Sequence, residues 1–209
     1  MKLYYSPGTC SLSPHIVARE AGIALDLVRV DIRSTPHRTK DGLDYAAAVT
    51  GKGYVPALVL DDGALLTEGA AIVLYLADLA PQTGLAPAQG SIERYRLVEW
   101  LTFVASELHK MFSPWLFHSE YGELAASVAK ARIRDRYAFI DRHLSDRSHL
   151  LGDAFTAADA YLFAIVSWSP LVGIDLAHWP HLAAWRDRVT ARPAVRDAMR
   201  AEGLLRDAA

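Results

Sequence analysis

Cys10 is the only cysteine in the chain, and it stands in a turn, "SPGTCSLS", directly ahead of a helical run. The first turn of a helix carries unpaired N–H groups and the positive end of the dipole. A free thiol titrates near ~8.5, and such a place lowers that value. The position would stabilise a Cys10 thiolate, or one carried in by a ligand, with Ser11 and Ser13 adding hydroxyl donors. A self-resolving dithiol cycle is excluded, because Ser13 stands three residues on where a second cysteine would be needed. The alternative use of a lone cysteine is as a small buried hydrophobe. The accessible turn expected beside a helix start favours the site.

Two more stretches carry binding chemistry. In "YVPALVL", Pro56 opens a strand after a loop, where the peptide bond can be cis. Its missing N–H leaves neighbouring backbone free, so a peptide-like ligand could pair with Val55; the alternative is an ordinary edge-strand proline. In "LTEGAAI", Glu68 and Gly69 start a helix. The free N–H groups there suit a carboxylate, and Glu68 suits an ammonium, so together they would grip an amino-acid zwitterion. The competing reading is a first-turn acid that complements the dipole. Further on, Thr102, Ser106, His109 and Ser113 are spaced four, three and four, which makes one polar stripe on a helix, flanked by Lys110. A stripe of hydroxyls and one imidazole suits a cleft wall, or else a solvated face with an incidental histidine.

The elements that must position these groups follow two grammars. Over the first 80 residues, strand and helix signals alternate. "KLYY" is a short strand, "SLSPHIVAREAG" a helix with Pro14 in its first turn, and "ALDLVRVDI" an alternating strand. A polar, glycine-containing segment runs to about Gly53. "VPALVL", the turn "DDG" and "ALL" form a hairpin, and "TEGAAIVLYLADLA" is a helix that stops near Pro81. From about Ser91 the chain reads as helices only. The run "SIERYRLVEWLTFVASELHKMFSPW" places Leu97, Leu101, Val104, Leu108, Met111 and Trp115 on one apolar face. "ELAASVAKARIRDRYAFIDRHL" follows. "FTAADAYLFAIVSWS", apolar nearly all round, opens with Thr156 and Asp159 at capping-box spacing. "HLAAWRDRVTAR" and "PAVRDAMRAEG" are short terminal helices. "PQTGLAPAQG" has linker composition. The expected organisation is an α/β domain over 1–80, a linker over 81–90 and an all-α domain over 91–209.

Bulk properties narrow the function. With 209 residues, 52% of them apolar, a substantial core is available. The net charge of -2 gives no basic excess for nucleic acid. No stretch reaches the roughly 18 uninterrupted apolar residues of a membrane helix, and the N-terminus lacks a signal-peptide core. A single cysteine fits a reducing compartment, so a cytoplasmic location is expected. One cysteine cannot build a thiolate site, so no metal is expected. Neither a GxGxxG nor a P-loop is present.

The stretches "MKLYYSPGTCSLSPHI", "GYVPALVLDDG", "LLTEGAAI", "EWLTFVASELHK", "FTAADAYLF" and the late "AEGL" resemble the bacterial beta class of glutathione S-transferases. The resemblance covers essentially the whole chain. It implies a thioredoxin-like N-terminal domain, a helical-bundle C-terminal domain, a homodimer and glutathione as co-substrate. It also implies that Cys10 meets the glutathione sulfur, that Val55 pairs with the cysteinyl part beside Tyr54, and that Glu68 and Gly69 hold the γ-glutamyl end. His109 would approach the sulfur, with Ser106 beside it, Lys110 following, and Thr102 where the family often has asparagine. Three departures stand out. The family loop "NPKGQVP" is here "TGKGYVP", with Thr50, Gly51 and Tyr54 new. The lysine near position 35 is missing, with His37 or Arg38 as candidate substitutes. Gly69 stands where many relatives carry serine.

The activity this implies is attack of glutathione thiolate on an electrophilic small molecule, with Cys10, Ser11 and His109 as candidate catalytic groups. Two other outcomes fit the same residues. One is monothiol thioltransferase or reductive dehalogenase chemistry through a Cys10–glutathione mixed disulfide. The other is a non-catalytic protein that sequesters glutathione or hydrophobic ligands in a groove near Phe112, Trp115 and Phe117.

Overall fold

The computed structural model describes residues 1–205; residues 206–209, the end of the helical domain expected over 91–209, lie outside the described residues. The chain divides into two compact units. One takes Met1–Ala86 together with the chain from Arg192 on, and the other takes Pro87–Ala191.

The first unit runs β1 (Lys2–Tyr5), α1 (Leu12–Glu20), β2 (Asp26–Asp31), β3 (Arg38–Thr39), α2 (Tyr45–Ala48), β4 (Ala57–Val59), β5 (Leu65–Thr67) and α3 (Gly69–Asp78). The strands form one mixed sheet in the order β3-β2-β1-β4-β5. β1 is parallel to β2, with Leu3 opposite Leu27, and antiparallel to β4, with Leu3 opposite Leu58. A parallel pair needs a crossover, and α1 supplies it. The alternation of a strand sends Leu3 and Tyr5 to one face and Tyr4 to the other. Tyr4 meets the ring of Tyr45 at 5.6 Å, so α2 covers that face. α1 packs on α3, and Ile16, Val17, Ile72, Val73 and Leu76 are essentially without exposed surface. Burying each such side chain contributes on the order of 1.5–3 kcal/mol.

Between Asp31 and Gly53 the sequence predicts only a polar loop, whereas the structure has β3 and α2 there. Asp44 starts α2 by accepting the Ala47 N–H at 3.1 Å, a local cap that lets four residues form a turn. The two-residue β3 is too short to leave a periodic signal.

The second unit holds α4 (Ile92–Phe103), a wide π turn (Val104–His109), α5 (Lys110–Phe112), α6 (Gly122–His143), α7 (Ala157–Val166) and α8 (Pro180–Thr190). The single helix expected from Ser91 to Trp115 is therefore interrupted and stops early. Leu97, Leu101, Val104 and Leu108 are buried as expected, but Phe112 is then fully buried while Trp115 is exposed. A π turn holds one extra residue, which advances the apolar face by one position. Ser113 is extended ahead of Pro114 and leaves the polar stripe. α7 is buried along its whole length, and the capping box of Thr156 and Asp159 is formed at its start.

Helix α9 (Pro193–Ala201) belongs with the first unit and packs on α1, whereas the run of helical signals groups it with the helical half. Arg192 holds its start through two bonds to the Glu20 carboxylate, at 2.6 and 2.9 Å. No helix among the described residues is long and apolar enough to cross a membrane.

Candidate active site

In the first unit the thiol turn is built from inside. The Ser11 hydroxyl accepts the Ser6 N–H at 3.1 Å, donates to the Ser6 carbonyl at 3.1 Å and lies 2.8 Å from the Thr9 hydroxyl. Ser11 is fully buried, so the residue that the sequence offers as a donor at the reacting sulfur has its hydroxyl committed to the turn. Ser13 likewise turns back, donating to the Cys10 carbonyl at 2.8 Å. Cys10 itself is 8% exposed, less open than a turn beside a helix start leads one to expect. Its Sγ donates to the Val55 carbonyl at 3.4 Å. The sequence places these two residues 45 positions apart; the β1–β4 pairing brings them together.

The Val55–Pro56 peptide, which the sequence allows to be cis, is cis. Two side chains hold the segment leading to it. The buried Tyr45 donates its hydroxyl to the Tyr54 carbonyl at 2.9 Å, and His37 Nδ1 lies 3.0 Å from the Gly53 carbonyl. His37, a candidate for the missing lysine, thus directs this nitrogen at the loop. The Tyr54 side chain is largely exposed, and Val55 packs against the cluster of Val30, Tyr45 and Ala57.

Glu68 caps α3 with φ 72°, the one positive φ found at a non-glycine residue among those described. Such a conformation costs on the order of 1–3 kcal/mol and gathers at ligand sites. Its carboxylate receives Lys52 Nζ at 2.6 Å, and the same ammonium donates to the Thr67 hydroxyl at 3.0 Å. Both side chains are more than half exposed, so this pair adds little stability of its own. Lys52 is the residue the sequence reading passed over. The signal was present, since the lysine of "NPKGQVP" survives in "TGKGYVP". The start of α3 at Gly69 places unpaired N–H groups beside this ion pair, an arrangement matched to a ligand carrying both an ammonium and a carboxylate.

In the second unit, the π turn places the other candidates. His109 is half-buried; its Nδ1 lies 2.9 Å from the Tyr161 hydroxyl, and its ring meets the edge of Trp168 at 5.1 Å. Tyr161 projects from the buried helix α7, so the imidazole is oriented by the best-packed element of the unit. Glu107 anchors the turn to α6 by accepting from Arg136 at 2.6 and 3.2 Å. The Ser106 hydroxyl donates to the Thr102 carbonyl at 2.9 Å, and both residues are exposed, as is Lys110. The exposed Phe117 and the buried Phe112 pack on Trp168 at 5.4 and 5.7 Å, giving an aromatic cluster beside His109. No group of three His, Cys, Asp or Glu side chains that could hold a metal ion occurs among the described residues.

Known proteins resemble the chain along its length. Residues 8–79 match the glutathione S-transferase N-terminal domain, and residues 103–193 match the glutathione S-transferase C-terminal domain. Glutathione S-transferase GstA of Escherichia coli O157:H7 is 45% identical over 204 residues, 98% of this chain and 100% of that protein. A sphingomonad glutathione S-transferase solved in complex with glutathione superposes with a TM-score of 0.92 at 45% identity, over 98% of this chain and 100% of that one. The bacterial beta-class enzyme of Sphingomonas chungbukensis does so with a TM-score of 0.92 at 44% identity and the same coverage. With both domain types matched in order and such relatives aligned end to end, the chain belongs to the glutathione S-transferase family, beside its bacterial beta class.

Proposed function

We propose that this chain binds glutathione along its first unit and transfers the glutathione thiolate to an electrophilic carbon of a hydrophobic small molecule. The observation that carries this reading is the Cys10 thiol at 3.4 Å from the Val55 carbonyl. A cysteinyl residue paired with the Val55 backbone brings its own sulfur to Cys10. The γ-glutamyl ammonium then pairs with Glu68, and its carboxylate takes the N–H groups at Gly69 and the charge of Lys52. In the reaction the thiol proton passes to solvent and the sulfur lone pair forms the new S–C bond. The leaving group, a halide in the simplest case, departs with its bonding electrons. Cys10 stabilises the thiolate as a thiol donor, and His109, held by Tyr161, is proposed as a further catalytic group. Ser11 serves the reaction through the shape of the turn. Thr102, Ser106 and Lys110 are proposed as polar contacts, and Tyr54 and His37 as shaping the loop before Val55. The aromatic cluster of Phe112, Phe117 and Trp168 supplies the apolar surface that an electrophile would use, which suits xenobiotic detoxification or catabolism.

A cytoplasmic homodimer completes the proposal. Ile92, Tyr95 and Val98 leave an exposed apolar row on α4 that a second copy would cover. The test is steady-state conjugation of a chloronitrobenzene with and without glutathione, alongside the mass of protein incubated with oxidised glutathione. Glutathione-dependent product is expected. Absence of product from a broad panel of electrophiles, with tight glutathione binding retained, would favour the binding protein instead. A mass gain of one glutathione at Cys10, together with turnover of disulfide substrates, would favour the monothiol route.

A further inference from the structure

The thiol turn is gripped from behind by the end of the described chain. Helix α9 stops in a paired-bond motif: Gly203, at φ 74°, donates its N–H to the Arg200 carbonyl at 2.9 Å, and Leu204 donates to Met199 at 2.8 Å. This termination directs Glu202 and Leu204 onto the loop ahead of Cys10. Glu202 has a side chain with no exposed surface. Its Oε2 accepts the Gly8 N–H at 2.9 Å, and its Oε1 lies 3.0 Å from His15 Nδ1. Arg19 Nε donates to His15 Nε2 at 3.4 Å, so the tautomer protonated on Nδ1 satisfies both ring nitrogens. A Cβ placed on Gly8 would come 3.2 Å from Leu204 Cδ2, and Gly8 holds φ 71°; the loop therefore needs glycine there on two counts.

Gly8 precedes the thiol by two residues, and His15 lies on the helix that follows it. One buried carboxylate thus ties the loop before Cys10 to the helix after it. Such a group is tolerated in the interior only when its acceptors are met, and both of its partners here are donors on the two flanks of the turn. We infer that Glu202 is a positioning residue for Cys10, fixing through Gly8 and His15 the turn that aims the thiol at Val55. This rests on the proposed role of Cys10 at the glutathione sulfur.

The test compares Glu202→Ala and Glu202→Gln with Arg192→Ala, which releases the far end of the same helix without touching the turn. The readouts are melting temperature, kcat and KM for glutathione, and the rate of Cys10 alkylation by iodoacetamide across pH 6 to 10. Glu202→Ala is expected to lower kcat about tenfold or more with KM changed less than about threefold, and to shift the alkylation profile. Glu202→Gln, which keeps one acceptor, should fall between it and the parent, by about threefold. Arg192→Ala should lose melting temperature with parental kcat and alkylation. If Glu202→Ala does not fold, the glutamine variant decides by the same readouts. Parental kcat and alkylation in the folded Glu202 variants would overturn the inference, as would an equal kcat loss in Arg192→Ala at matched melting temperature. A Cys10→Ala variant with undiminished conjugation would instead overturn the role given to Cys10, while alkylation would still read the turn.

Discussion

At the scale of single residues, the proposed chemistry rests on Cys10, Glu68 and His109 and on the groups that aim them. The imidazole of His109 is oriented by the Tyr161 hydroxyl at 2.9 Å. The catalytic role proposed for His109 predicts that His109→Ala lowers kcat about tenfold or more, whereas Tyr161→Phe, which keeps the ring packing, should lose only a few-fold. Rapid-mixing and steady-state rates at saturating glutathione would check the order of the two. Lys52→Ala should raise KM for glutathione several-fold with kcat nearly unchanged, the pattern of lost uniform binding. Much of this set was legible from residue type alone: Cys10 before a helix, Val55 before proline, and Glu68 and Gly69 at a helix start. The Ser11 orientation was not, because a rotamer decides whether a hydroxyl faces a ligand or, as here, the Ser6 backbone. Lys52 carries no periodicity, so in the sequence only its place in the loop motif ahead of Pro56 marks it. Only the fold brings it 2.6 Å from Glu68.

Among the elements, α7 is the one on which most depends. Asp159 has no exposed surface and accepts from the Thr156 N–H and hydroxyl, the Leu150 N–H and the Trp185 indole N–H, each at 2.9 to 3.0 Å. Asp159→Ala leaves these donors without their acceptor and should destabilise the protein by about 3–5 kcal/mol, whereas Thr156→Ala, which removes one cap, should lose about 1–2 kcal/mol. Chemical denaturation of both variants measures the ratio. The capping box was legible because its spacing is local. The π turn that carries His109 was not, since a single inserted residue leaves the three-and-four apolar spacing readable on either side. The predicted stripe consequently ran one turn too far, to Ser113.

Over the whole molecule, the sequence separates an α/β grammar from a helical one, and in the structure α9 lies in the compact unit that holds Met1–Ala86. Its place there depends on pairs distant in sequence, Arg192 with Glu20 and Glu202 with Gly8, which no local pattern reveals. Stability should also carry a pH signature. Burial holds the phenols of Tyr45 and Tyr137 well above the ordinary tyrosine value of about 10. In the unfolded chain they ionise from about pH 10 upward while the native phenols keep their protons, so the native state binds more protons and stability falls as pH rises past that point. Urea midpoints between pH 8 and 11 should drop above about pH 10, and less steeply in Tyr45→Phe; a flat midpoint would contradict the burial of these phenols. Glutathione transfer at Cys10 is best measured as the initial rate of chloronitrobenzene conjugation while glutathione is varied, in the parent and in Cys10→Ala. The rate is expected to saturate with glutathione, and kcat/KM to fall at least about tenfold without the thiol; a rate independent of glutathione, or a Cys10→Ala variant equal to the parent, would overturn the proposed chemistry.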